Sequence, residues 1–165
     1  MLDAPKVLDL LNRNQIEFVL VGGLAMITHG SAHITDDLDV CYHRSEANIA
    51  RIAMTIASIC PTLRGAPAGL PFRFDAPTIK AGLNFTLSTD LGPVDFLGEV
   101  AGLGDYAQAF SHSQVETIFG MPVRVLSLDA LIATKKAARR AKDMTHLLEL
   151  EELKKLRDSM EEAGP

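Results

Sequence analysis

Two aspartates spaced two residues apart, Asp37 and Asp39, are the residues in this sequence best suited to chemistry. They alternate with the apolar Leu38 and Val40, which is the pattern of a half-buried β-strand, so we expect both carboxylates on one face. Carboxylates held side by side repel each other and raise each other's pKa. Mg²⁺ relieves such repulsion, because it takes carboxylate oxygens as ligands and completes its shell with substrate phosphates. The pair therefore predicts a metal site for a phosphate-bearing substrate.

A glycine pair, Gly22 and Gly23, lies upstream between an apolar run at 18–21 and a segment at 24–29 with helical spacing. Glycine lets the backbone come close to a ligand, and the first N–H groups of a helix favour anions. This strand–helix turn is therefore a candidate contact for phosphate.

A single aspartate, Asp95, stands between Val94 and Phe96 in a later apolar segment. A carboxylate inside such a strand is unfavourable unless it is paired or liganded. Two interpretations are open on the residues alone: a strand-edge aspartate that faces solvent, or a third metal ligand.

A basic segment follows near the C-terminus, with five cations in the eight residues 135–142 and no acid among them. The cations are Lys135, Lys136, Arg139, Arg140 and Lys142. One interpretation is a solvated helix face whose charge favours a helix C-terminus. The other is a contact for a triphosphate or a nucleic acid, since residues four apart share a helix face.

In their order and spacing these motifs resemble the DNA polymerase beta-like nucleotidyltransferase superfamily. Within it, they are most similar to the small bacterial members of abortive-infection and toxin–antitoxin systems. The resemblance covers nearly the whole chain, and the matching positions are Gly22 and Gly23, Thr35, Asp37 and Asp39, Asp95, and Lys135, Arg140, Lys142 and Asp143.

The resemblance implies metal-dependent transfer of a nucleoside monophosphate from an NTP to an acceptor hydroxyl. Asp37, Asp39 and Asp95 would be both the catalytic residues and the ligands of two Mg²⁺ (or Mn²⁺) ions, and Asp95 would also be placed to act as a base. The implied nucleotide-binding residues are Gly22, Gly23, Thr35, Lys135, Arg140 and Lys142. Asp143 would hold the neighbouring cations in position and not bind metal.

Two positions depart from the family pattern. His33 stands where many relatives carry an arginine four residues before the first metal aspartate, and His146 stands where many carry an aspartate. Both departures bear on substrate contacts more than on the metal ligands. A lone histidine is more often structural than catalytic, so neither is predicted to react.

The acceptor is the least determined part of the prediction. The resemblance favours the 3′ end of tRNA or a side chain of a partner protein, and a small molecule such as an aminoglycoside is a further alternative. The net charge of −5 argues against broad attraction to RNA. A different class of function also stays open: a catalytically silent, antitoxin-like binding module, or a structural domain whose acidic strand is solvated. Oligomeric state is left open.

Composition predicts one globular domain over 1–165, with a core at about 1–126 and C-terminal helices at about 127–160. The chain has 165 residues, of which 47% are hydrophobic, and no apolar run long enough to span a membrane. Cys41 and Cys60 are isolated, as expected of thiols in a reducing bacterial cytoplasm.

The expected fold class is α/β (α+β), a small mixed sheet with the carboxylates at one edge, flanking helices and a C-terminal helical segment. Hydrophobic periodicity predicts helices at about 5–14, 24–29, 45–59, 127–140 and 142–160, and a short one within 101–110. Asp3, Ser45 and Ser127 are the expected N-caps of the first, third and fourth of these. Strands are expected at 16–21, 37–40, 79–89, 94–100, 113–119 and 123–126, and the stretch 62–77 is expected to be loop or poorly regular strand.

Overall fold

Seven helices and nine short strands form within the residues that the computed structural model describes, which are 1–67, 69–138 and 141–164. Side chains are described for all of these except residues 141 and 142. The helices are α1 Ala4–Arg13, α2 Gly22–Thr28, α3 Glu46–Ala57, α4 Ala76–Ala81, α5 Tyr106–Ser111, α6 Leu128–Ala138 and α7 Ala141–Ala163. The strands are β1 Phe18–Val21, β2 Leu38–Tyr42, β3 Thr62–Leu63, β4 Asn84–Thr89, β5 Gly92–Leu97, β6 Glu99–Val100, β7 Gly104–Asp105, β8 Ser113–Ile118 and β9 Met121–Leu126. The predicted α/β class is confirmed.

Short polar side chains begin several of these helices. Their oxygens accept a hydrogen bond from a backbone N–H three residues later, at 3.0–3.3 Å, and so satisfy a donor that the first turn leaves unpaired. The capping residues are Asp3 for α1, Ser45 for α3, Asp75 for α4 and Ser127 for α6. The caps at Asp3, Ser45 and Ser127 were readable from the sequence.

Helix α4 corrects one sequence prediction, that of a strand from Ile79 to Thr89. Asp75 caps the helix and Pro77 fits its first turn, where a missing N–H costs nothing. Ile79 lies on this helix and is fully buried in the core, and the strand begins only at Asn84. The alternation of buried residues holds at Phe85 and Leu87, whereas Leu83 is exposed and lies before the strand.

Seven strands form one mixed sheet in the order β3-β4-β5-β2-β1-β9-β8, and β6 and β7 pair separately. The central strand β2 runs antiparallel to β1 and parallel to β5. In this register Asp39 lies opposite Val21 on one side and opposite Asp95 on the other. The sheet therefore brings the end of β1, the start of β2 and the middle of β5 to one place.

Buried aliphatic residues of the sheet and helices form one core, and α2 packs on β1, β2 and α6. Helix α6 in turn packs along α7, which buries Leu147 and Leu150. The pair α6 and α7 thus stands next to the sheet residues of the site. Within the described residues, no helix is long and apolar enough to cross a membrane.

A buried asparagine, Asn48, ties α3 to the chain before β1. Its side-chain oxygen accepts from the Glu17 N–H at 2.8 Å, and its amide donates to the carbonyls of Glu17 and His43 at 3.0 and 2.7 Å. A buried polar side chain with this many partners stabilises the fold, because each partner would otherwise lose its hydrogen bond.

Candidate active site

Three carboxylates meet where β1, β2 and β5 come together. One oxygen each of Asp37, Asp39 and Asp95 lies within 4.8 Å of the other two. Asp37 directly precedes β2, and the intervening Leu38 and the following Val40 are fully buried, as the alternation predicted. We call these three residues the aspartate cluster.

The aspartate cluster is short of positive charge around Asp39. Burial of this side chain, followed by the charges of Asp37 and Asp95, raises the pKa of Asp39 from 3.8 to about 7. Lys135 and a hydrogen bond from the Gly23 backbone N–H offset the effect in part. Three oxygens this close, one of them hard to ionise without a cation, fit the hard donor set that Mg²⁺ or Mn²⁺ takes in proteins.

The two glycines are required by close contacts within the chain. Gly22 has φ +64°, and a Cβ there would lie 2.1 Å from Oδ2 of Asp39. A Cβ at Gly23 would lie 2.5 Å from the hydroxyl of Thr35. The start of α2 is therefore packed directly against the aspartate cluster, since no larger residue fits at either position.

Thr35 holds Asp37 in place. Its hydroxyl lies 3.0 Å from the backbone carbonyl of Asp37 and 3.2 Å from Oδ1 of the same residue. The threonine therefore positions a carboxylate of the aspartate cluster. The sequence predicted a nucleotide-binding role for Thr35 and not this contact.

A cavity of about 340 Å³ opens over the aspartate cluster. Its lining includes seven of the nine predicted site residues: Gly22, Gly23, Thr35, Asp37, Asp39, Asp95 and Lys135. Arg140 lies outside the described residues, and so does the side chain of Lys142. The structure thus gathers residues from 21–39, 84–101 and 134–146 around one space.

A buried ion pair fixes the lysine in the cavity wall. Nζ of Lys135 lies 3.0 Å from Oδ1 of Asp143, with the lysine side chain 14% exposed and the aspartate fully buried. This contact joins α6 to α7. Asp143 therefore holds Lys135, as the resemblance implied. Among the described residues, the carboxylates close enough together to share a metal ion are those of the aspartate cluster.

The two histidines at the departing positions stand together. The rings of His33 and His146 are 4.3 Å apart between centroids, at 65°, and both line the cavity. Burial, followed by the nearby His33 and Lys135, lowers the pKa of His146. This part of the cavity wall is therefore formed by two packed imidazole rings.

Arg64 is a residue of the site that sequence reasoning missed. Its guanidinium donates to Oδ1 of Asp95, lies 3.5 Å from Oδ2 of Asp37, and donates to the Leu87 carbonyl at 3.1 Å. No sequence feature marks it, because it is a lone arginine after the two-residue strand β3, in a stretch predicted as loop or poorly regular strand. Only the pairing of β3 with β4 brings it to the cluster.

Asn84 and Glu99 also line the cavity without having been predicted. The Asn84 side-chain oxygen accepts from the N–H of Gly98 at 2.9 Å and of Glu99 at 3.3 Å. This fixes the bend between β5 and β6 and places the exposed Glu99 at the cavity rim.

No family model matches this chain, and no curated protein does. Several solved structures are similar to it in fold. The lincosamide antibiotic adenylyltransferase LnuA with lincomycin bound has 11% identity and a TM-score of 0.59, over 90% of this chain and 94% of LnuA. ANT(2'')-Ia in complex with adenylyl-2''-tobramycin has 14% identity and a TM-score of 0.58, over 98% of this chain and 96% of that one. The solution structure of the antibiotic-resistance factor ANT(2'')-Ia has 14% identity and a TM-score of 0.54, over 96% and 91%.

These similarities span nearly the full length of each partner, so they concern the whole architecture and not one motif. The alignment with ANT(2'')-Ia covers 98% of this chain, so it includes nearly all of the sheet and the helices. The chain has the nucleotidyltransferase fold.

Proposed function

We propose that this protein is a metal-dependent nucleotidyltransferase, which moves a nucleoside monophosphate from an NTP to an acceptor hydroxyl. The observation that supports this most strongly is the aspartate cluster, three carboxylates within 4.8 Å of one another in a cavity of a nucleotidyltransferase fold. In the reaction the acceptor oxygen bonds to the α-phosphorus, the bond from that phosphorus to the bridging oxygen breaks, and pyrophosphate leaves.

The aspartate cluster would hold the divalent cations, Mg²⁺ or Mn²⁺ and two in number by the resemblance. When bound, such ions lower the pKa of an attacking hydroxyl and neutralise charge on the departing pyrophosphate. Asp95, opposite Asp39 in the sheet, would in addition accept the proton of the acceptor hydroxyl. Thr35 would keep Asp37 oriented through the contacts described above.

The nucleotide phosphates would lie between the start of α2 and α6. Gly22 and Gly23 line the cavity there, and Lys135 supplies a positive charge in the cavity wall. A fixed cation next to the phosphates helps to stabilise the charge that develops during phosphoryl transfer. Arg140 and Lys142 remain predicted contributors to the same contact.

For the acceptor we propose a small molecule that carries hydroxyl groups. A cavity of about 340 Å³ is in the range of small-ligand sites. Among the described residues of its lining, Lys135 is the one lysine or arginine, so this part of the cavity presents no extended basic surface for a polyanionic acceptor. The similar solved structures were determined with lincomycin and with adenylyl-tobramycin. The tRNA or protein acceptor expected from the sequence, and with it a toxin–antitoxin role, lacks comparable support and stays a prediction.

A label-transfer assay tests the function and the acceptor together. The protein is incubated with Mg²⁺ and each α-³²P-labelled NTP, together with lincosamides and aminoglycosides, with total tRNA, or with cell protein. We expect label on a small molecule with the unmutated chain and none with Asp37→Asn/Asp39→Asn. Label on RNA or protein would overturn the proposed acceptor and keep the activity.

The absence of label in every pool would favour a catalytically silent module. That alternative is separated by melting temperature, because a ligand that binds the native state must stabilise it. A rise with Mg²⁺ and NTP that Asp37→Asn/Asp39→Asn abolishes would show an intact nucleotide site, and no rise would contradict the proposed function.

A further inference from the structure

Arg64 contacts the same carboxylates that would ligate a metal. Its guanidinium donates to Asp95, lies 3.5 Å from Asp37 and is anchored at 3.1 Å on the Leu87 carbonyl of β4. The Arg64 backbone N–H donates to the carbonyl of Thr86 at 3.0 Å, which fixes the base of the side chain on the same strand. A positive charge is thus built into the edge of the aspartate cluster by the pairing of β3 and β4.

We propose that Arg64 is the internal counter-cation of the aspartate cluster, and that it must release Asp37 and Asp95 before a divalent cation binds there. This inference rests on the metal site of the proposed function. It assigns to Arg64 a role that opposes metal binding, not one that assists it.

The charges in the cluster support competition. Arg64 reaches two of the three carboxylates, and a metal ion that shares those oxygens would stand within a few ångströms of the guanidinium. Like charges at such distances repel each other at the effective dielectric of protein sites, so the two cations do not share the cluster favourably. One of them must withdraw.

The Arg64 guanidinium does not use all of its hydrogen-bond donors, which makes its release from Asp37 and Asp95 feasible. Nε of Arg64 is buried without a hydrogen-bond partner among the described residues. A buried donor in this state lowers the stability of the arrangement it belongs to. The side chain is 32% exposed, and the stretch that follows, from Gly65 with φ +76° to Asp75, contains only turn and loop structure where it is described. Arg64 can therefore turn toward solvent while β3 stays paired.

The test is Mn²⁺ binding to the full chain, measured by isothermal titration calorimetry at pH 8 without nucleotide. We expect Arg64→Gln to bind Mn²⁺ at least tenfold more tightly than the unmutated chain, which corresponds to about 1.4 kcal/mol. The glutamine amide still reaches toward the Leu87 carbonyl but carries no charge. Arg73→Gln is the matched control, because it removes an exposed arginine from the same connecting stretch and should leave the dissociation constant unchanged.

Thermal melting in EDTA gives a second readout that needs no activity. Arg64→Gln should melt below the unmutated chain without metal, because the carboxylates lose their counter-cation, and should gain more on addition of Mn²⁺. If Arg64→Gln does not fold, Arg64→Lys serves in its place, since a lysine keeps the charge but cannot bridge both carboxylates, and it should bind Mn²⁺ severalfold more tightly than arginine allows.

The possible results distinguish a failure of this inference from a failure of the proposed nucleotidyltransferase function. If the unmutated chain binds Mn²⁺ and Arg64→Gln binds it equally or more weakly, the inference is wrong, because Arg64 does not then oppose metal binding. The proposed metal site would be unaffected by that result. No Mn²⁺ binding by either chain at millimolar concentration would overturn the metal site itself and this inference with it.

Discussion

Replacing Asp39 by asparagine should stabilise the protein in the absence of metal. Burial and the adjacent carboxylates of Asp37 and Asp95 raise the pKa of Asp39 from 3.8 to about 7. The folded protein therefore binds a proton at this site more strongly than the unfolded chain does. Stability falls with pH wherever the folded state holds more protons, so this carboxyl lowers the free energy of unfolding as pH rises from about 4 to about 7.

The size of the effect follows from the two pKa values. A difference between 3.8 and about 7 corresponds to about 4 kcal/mol above pH 7, at about 1.4 kcal/mol for each tenfold change in proton affinity. Asparagine has the same shape and no charge to bury, and relaxation around the charged aspartate reduces the difference. We therefore expect Asp39→Asn to gain about 2–4 kcal/mol at pH 8 in EDTA. At pH 5 the gain should be smaller by about 2 kcal/mol, because Asp39 is then protonated in the folded state.

Urea denaturation at pH 5 and pH 8 in EDTA measures both values. Asp36→Asn is the matched control, since Asp36 is an exposed aspartate just before β2 and its substitution should change stability little at either pH. Excess Mn²⁺ should remove the stability difference between Asp39→Asn and the unmutated chain, because only the unmutated chain would then be stabilised by the bound cation. A gain that is absent at pH 8, or equal at the two pH values, would refute the electrostatic reasoning.

Three further substitutions test other contacts. Gly22→Ala should destabilise by about 2 kcal/mol or more in urea denaturation, because its φ is +64° and the new methyl would meet Asp39; an unchanged midpoint would contradict this. Lys135→Met should lower stability by about 3 kcal/mol, since the fully buried Asp143 loses a partner 3.0 Å away, and should weaken NTP binding in calorimetry; normal NTP affinity would remove Lys135 from the phosphate contact. Asn48→Ala should cost about 2–4 kcal/mol by thermal melting, because three backbone groups lose their partner; a loss below about 1 kcal/mol would show that water replaces the side chain.

The parts of the site that depend on local pattern were predictable. Asp37 and Asp39 alternate with the fully buried Leu38 and Val40, so the face they share follows from the period of a strand. Asp95 was singled out because a carboxylate between two apolar residues is unfavourable without a partner, and the family resemblance implied that it is the third metal ligand. The parallel register that sets it opposite Asp39 could not be predicted and is seen only in the structure.

The parts that depend on tertiary contact were not predictable. Arg64 reaches the aspartate cluster only because a two-residue strand pairs with β4, and so short a strand has no periodicity to detect. Asn84 and Glu99 are placed by a bend after β5 that the sequence prediction continued as strand. The helix over Ile79 was missed because its single buried apolar residue fitted the neighbouring alternation.

Metal and nucleotide binding at the aspartate cluster is tested most directly by a crystal structure of the protein with Mn²⁺ and a non-hydrolysable NTP analogue. We predict an anomalous scattering peak about 2 Å from oxygens of Asp37, Asp39 and Asp95, with the analogue's phosphates between that peak and Lys135. The Arg64 guanidinium should have moved away from Asp37 and Asp95. An ordered analogue whose phosphates lie elsewhere, or a Mn²⁺ peak away from these three carboxylates, would contradict the assignment of this cavity as the active site.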